Sequence, residues 1–104
     1  MKFTIVFPDG AAINEKTIIR SNGAVKQMKT PCDICRLIKN DFLKRNSVNS
    51  FTQWAEELNQ DKNFDGGFTK YDALDNLAST YTLNIDGQHL NLYKYFEEYF
   101  PFKN

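Results

Sequence analysis

Asp86-Gly87 separates two short stretches whose apolar residues match across it. Asp-Gly accepts the positive φ of a tight hairpin turn, and a two-residue turn here pairs Ile85 with Gln88, Leu83 with Leu90 and Tyr81 with Leu92. That register puts Leu83, Ile85, Leu90 and Leu92 on one face and Thr82, Asn84, His89 and Asn91 on the other. Both strands therefore agree on the side to be buried, and a slip of one residue would reverse it.

The N-terminal part reads as strand as well. Residues 2–7 alternate, with Phe3, Ile5 and Phe7 on one side, and Pro8-Asp9-Gly10 closes the run as a turn. Lys16 to Arg20 and Ala24 to Met28 form a second predicted hairpin across Asn22-Gly23, where a three-residue loop sets Ile19 opposite Val25. Helical signals fill the middle. Thr30-Pro31-Cys32-Asp33 combines a cap, a proline tolerated in the first turn and an acid favoured by the helix dipole. Ile34, Ile38 and Phe42 then recur at helical spacing as far as Arg45. Ser50 with Gln53 opens a second helix bearing Phe51, Trp54, Ala55 and Leu58. Thr69 with Asp72 opens a third, whose stripe is Tyr71, Leu74, Leu77, Ala78 and Tyr81. Tyr93 to Phe100 is a short aromatic helix stopped by Pro101. The expected class is α+β: a small antiparallel sheet from the N-terminal strands packed with three helices, plus a C-terminal β-hairpin and a short aromatic helix, all in one domain over residues 1–104.

Composition narrows the function classes. Apolar residues make 41% of the chain and charged residues 25%, which is the balance of a folded globular protein. The formal net charge is zero, yet residues 1–50 hold nine Lys or Arg against four acids and residues 51–104 hold four against nine. The halves either neutralise each other or leave a basic and an acidic face for partners. No run of like charge exceeds two residues, so a nucleic-acid partner is not expected. The apolar N-terminal stretch is too short for a signal sequence, and no run approaches the ~18 residues of a membrane span. The expected setting is cytoplasmic, without a membrane partner, and the two cysteines agree with a reducing compartment.

Three groups of residues carry possible chemistry. Residues 61–72 place side-chain oxygens at loop positions 1, 3, 5, 9 and 12, from Asp61, Asn63, Asp65, Thr69 and Asp72, with Gly66 at the sharp turn. A hard cation needs six to eight oxygens converging in this way. The loop resembles an EF-hand calcium loop, and the Asp at its last position is similar to the dockerin variant. The resemblance covers 12 of the 104 residues and implies Ca2+ held by those five side chains. The alternative is a turn in which Asp61, Asn63, Asp65, Gly66 and Gly67 shape the loop while Thr69 and Asp72 cap the next helix.

Cys32-Asp33-Ile34-Cys35 lies at a helix start, where the dipole lowers a thiol pKa and Cys32 would attack while Cys35 resolves. Cys35, however, shares a helix face with Ile38 and Phe42, as a small hydrophobe would. Two cysteines and one histidine are too few for a tetrahedral zinc site. His89 is expected to be exposed on the polar face of its hairpin. With no second histidine and no Gly-rich phosphate loop, neither a hydrolase triad nor nucleotide binding has a starting point. No feature points to a small-molecule substrate.

The C-terminus is the most aromatic part, with six aromatic residues between Tyr93 and Phe102. Such a segment either plugs the core or docks on a partner, through Tyr95, Tyr99, Phe100 and Phe102. The leading expectation is therefore a non-enzymatic binding module acting through a protein partner, as a regulator or inhibitor. A calcium-binding protein built on residues 61–72 is the alternative, and a dithiol redox protein the second alternative. If residues 61–72 hold calcium, a concentration about a hundredfold over the dissociation constant adds about 2.7 kcal/mol to stability. Thermal unfolding in calcium, magnesium and chelator measures this, and a midpoint unmoved by calcium returns the loop to a turn.

Overall fold

The computed structural model describes residues 2–21, 24–60 and 67–100; for residues 18–21 and 24–27 it describes the backbone. Ten elements follow in order: β1 (Phe3–Val6), β2 (Ala12–Asn14), β3 (Ile18–Ser21), β4 (Ala24–Gln27), α1 (Pro31–Arg45), α2 (Phe51–Asn59), α3 (Lys70–Thr80), β5 (Thr82–Ile85), β6 (Gln88–Leu90) and α4 (Leu92–Tyr99). The class is α+β, as the sequence leads one to expect. β1, β2, β5 and β6 form one antiparallel sheet in the order β2-β1-β5-β6, and β3 pairs with β4 in a separate ribbon.

The main sheet brings the two ends of the sequence together. Phe3 lies opposite Ile85 and Ile5 opposite Leu83, while on the other side of β1 Ile5 lies opposite Ile13. The first turn is held by Phe7 N–H donating to the Ala11 carbonyl at 2.8 Å and Ala11 N–H to the Asp9 carboxylate at 2.9 Å. Gly10, at φ 89°, takes the left-handed position that this turn needs. The last turn has Asp86 at φ 51° and Gly87 at φ 85°, both positive as in a tight two-residue hairpin, and Leu83 faces Leu90 as expected.

Two expected registers are corrected. The pairing of Tyr81 with Leu92 does not form, because helices claim both residues. Tyr81 ends α3, its N–H donating to the Leu77 carbonyl at 3.0 Å, and Leu92 opens α4, which Asn91 caps by accepting from Lys94 N–H. In the N-terminal ribbon Arg20 lies opposite Val25 and Ile19 opposite Lys26, the two-residue register in place of the three-residue one. The strand also starts later than Lys16. Lys16 and Thr17 belong to a turn on Asn14, whose side chain accepts from Lys16 N–H at 2.8 Å while its own N–H donates to Thr17 Oγ1 at 3.0 Å.

The helices start where their caps predict. Thr30 and Asp33 exchange bonds across the first turn of α1, and Thr69 and Asp72 do the same for α3. Ser50 accepts from Gln53 N–H at 3.0 Å at the start of α2. The core joins Phe3, Ile5 and Leu83 of the sheet to Ile34, Cys35, Ile38 and Phe42 of α1, Leu74 and Leu77 of α3, and Leu92 and Phe96 of α4. Tyr71 departs from the expected stripe of α3: it is 49% exposed, the inward position is taken by Ala73, and the Lys70 ammonium lies over its ring. No helix among the described residues is long and apolar enough to cross a membrane.

A polar cluster fastens α1 to both the first turn and the end of α3. The Tyr81 hydroxyl donates to the Asp41 carboxylate, which also receives Arg45 Nε at 2.6 Å. The same guanidinium reaches Asp9 at 3.3 Å and lies over the Phe7 ring, which meets Tyr81 edge-on. Burial, and then the Asp41 carboxylate, push the Tyr81 phenol well above its ordinary pKa, so it acts as a donor. Tyr81→Phe keeps the ring and deletes the bond to a charged, partly screened acceptor. The expected cost is about 1–2 kcal/mol, read as a lower urea midpoint at unchanged slope.

Candidate partner-binding site

α4 is amphipathic in an unusual way. Leu92, Tyr95 and Phe96 are buried, while Lys94, Glu98 and Tyr99 remain on the outside. The helix follows β6 after the single residue Asn91, so it packs beside the hairpin that precedes it in the chain. Between them runs a groove of about 460 Å³, lined by Ile85 and Leu90 of the hairpin, Asn91, Lys94, Tyr95, Glu98 and Tyr99 along α4, and Pro31 at the start of α1. Its polar groups are few, and its two charged residues are of opposite sign.

The two tyrosines of the groove differ. Tyr95 is 7% exposed, its ring centroid 4.8 Å from that of Tyr99, and its hydroxyl has no hydrogen-bond partner among the described residues. Burial is the main cause that pushes its phenol up to about 12. Tyr99 is 38% exposed and offers its ring to solvent. Phe100 is half-buried, packs against Phe96 and does not line the groove; the Lys39 ammonium lies over its ring. Of the four aromatic residues that sequence singles out for a partner, the structure thus brings Tyr95 and Tyr99 to one groove, and Phe102 lies outside the described residues. Ile85, Leu90 and Pro31 are the contributions that sequence reasoning missed. Their signal was the apolar face of a hairpin whose outer strand leaves that face incompletely covered.

A thiol joins α1 to the end of this helix. Cys32 is exposed, and its Sγ donates to the Tyr99 carbonyl at 2.9 Å, next to the groove. Cys35 is fully buried, and desolvation first, then the neighbouring Cys32, push its thiol up to about 12. A thiol so placed stays protonated at neutral pH.

The remaining sequence candidates that are described, Thr69, Asp72 and His89, do not line the groove. Asp61, Asn63 and Asp65 lie outside the described residues, as does Gly66. Thr69 and Asp72 are in the α3 cap, where the Asp72 carboxylate accepts from Thr69 N–H at 2.7 Å and Thr69 Oγ1 accepts from Tyr71 N–H at 3.2 Å. Asn59 ties the two ends of the loop, exchanging bonds of 2.9 Å with both the N–H and the carbonyl of Phe68. Among the described residues no three of His, Cys, Asp and Glu gather as metal ligands. His89 is exposed on the open polar face of the sheet, opposite Asn84. Arg36 and Arg45 pair with Asp33, Asp9 and Asp41, acids of their own half of the chain.

Iodoacetamide applied to the native protein is expected to label Cys32 and to spare Cys35 until urea is added. Mass spectrometry of the two cysteines reads this directly, and equal labelling in the native state would show that Cys35 is not sealed in the core. Compared with protein-family models, curated proteins and solved structures, the chain finds no match.

Proposed function

We propose that the chain is a small non-enzymatic binding module that acts through a protein partner, as a regulator or inhibitor, and that the groove between the C-terminal hairpin and α4 receives that partner. The observation that carries this reading is the groove itself: an apolar channel with an exposed tyrosine at its lip and a buried one in its wall. Recognition sites concentrate their energy in such aromatic residues at the centre of a desolvated patch. The volume is in the range of pockets that hold a ligand or a few side chains. Lys94 and Glu98 stand at the groove with opposite charge, which gives it no net preference for an acidic or a basic partner and selects for apolar contact.

The test is affinity capture with crosslinking from cells that express the chain. Tyr99→Ala is expected to weaken the captured partner at least tenfold, the loss typical of an interface anchor. Tyr71→Ala, which alters a more exposed tyrosine on α3, is expected to leave capture unchanged. Equal loss with both variants, or none with either, would overturn the assignment of the groove.

A further inference from the structure

The edge of the sheet beside this groove adds a second recognition element. β6 is the last strand in the order β2-β1-β5-β6, so its outer side faces no strand among the described residues. The register shows which of its main-chain groups face outward. Asp86 N–H donates to the Lys2 carbonyl, and Asn84, two residues earlier, lies opposite Thr4. Alternate residues of an antiparallel strand turn their N–H and C=O to opposite sides, so Asn84 directs both to β1. His89 lies opposite Asn84, and its own N–H and C=O consequently point away from β5.

An outward N–H and C=O on one edge residue is a docking point for one residue of an extended chain. Side chains alternate along such a chain. The residue opposite His89 carries its side chain to the open polar face, and the residues before and after it turn theirs to the face of Leu90, where the groove lies. Resting on the binding reading above, we infer that β6 and the groove together form a strand-addition site, whose occupant is an extended protein segment of the pattern apolar, any residue, apolar.

A second copy of the chain fits the site less well. Self-pairing about His89 would send Gln88 of the copy into the apolar groove, and a three-residue strand buries far less than the ~1,000 Å² that a stable interface requires. A helical partner would leave the outward groups of His89 unpaired.

The probe is the acetylated, amidated peptide Ser-Ser-Leu-Thr-Leu-Ser-Ser, followed by fluorescence polarisation and by amide chemical shifts. Binding is expected to shift the His89 and Leu90 amides and to fall at least tenfold in three cases: when the central Thr is N-methylated, when both Leu are replaced by Ser, and with Tyr99→Ala. His89→Pro, which removes an outward N–H at an edge position that tolerates proline, is expected to weaken the peptide and the captured partner alike. Partner capture lost with Tyr99→Ala but retained with His89→Pro, together with a peptide indifferent to N-methylation, overturns strand addition and leaves the binding module standing. A dimer in sedimentation that His89→Pro dissociates assigns the edge to a second copy and overturns it too. So does peptide binding that appears only when the chain is ended at Phe100, since residues 101–104 would then be the occupant.

Discussion

The main sheet and the groove beside it are referred to one four-residue strand, β1. β1 is paired on both sides, to β2 through a local turn and to β5 from the far end of the sequence. Its alternation sends Phe3 and Ile5 into the core and Thr4 and Val6 to the open face. Through β5 it fixes β6, and through the short connection at Asn91 it fixes α4. The groove beside α4 is thus positioned in part by β1, whose own residues do not line it. Ile5 and Leu83 are adjacent at the centre of this arrangement, and both are fully buried.

The helical layer is held to the sheet by more than apolar packing. Arg45 links the first turn of the chain to α1, and Asp41 links α1 to the end of α3 through Tyr81. Cys32 links the start of α1 to the last turn of α4. The charged partners, Arg45, Asp9 and Asp41, lie at the rim of the core and are partly solvated, so their ion pairs are worth little alone, whereas the bond from the buried Tyr81 is worth more. Their value is directional. They fix how α1 sits over the sheet, and hence where Pro31 closes one end of the groove.

Much of the fold was legible because its signals are local. Thr30, Ser50 and Thr69 satisfy the first backbone groups of their helices whatever else surrounds them, and Asp86-Gly87 sets a register by its own torsions. β2 escaped notice because Ala12–Asn14 is short and its pairing is set by the turn on Asp9 and Gly10. In the N-terminal ribbon, apolar matching across Asn22-Gly23 favours Ile19 opposite Val25, whereas the strands pair one residue away, with Arg20 opposite Val25. The candidate site was legible only in part. Tyr95 and Tyr99 stood out by residue type, and Lys94, Glu97 and Glu98 at helical spacing mark the outward side of α4, but spacing alone does not tell which flanking ring a neighbouring hairpin covers. The depth of the groove depends on how far the hairpin extends over α4, which is a tertiary quantity.

The wide separation of β1 from β5 also has a consequence for the chain as it is made. At a synthesis rate of about 5–20 residues per second, roughly 4–16 seconds pass between the appearance of residue 6 and that of residue 85. During that interval β1 can pair with β2 alone, and a two-stranded ribbon is marginal in water. Ile5 and Ile13, cross-strand neighbours in the finished sheet, would share an apolar face with Phe3 that has only the helices already made to cover it. The rate of translation, more than the stability of the finished sheet, therefore sets how long this ribbon is open to wrong partners, and a chaperone that recognises short apolar strands would meet it there first.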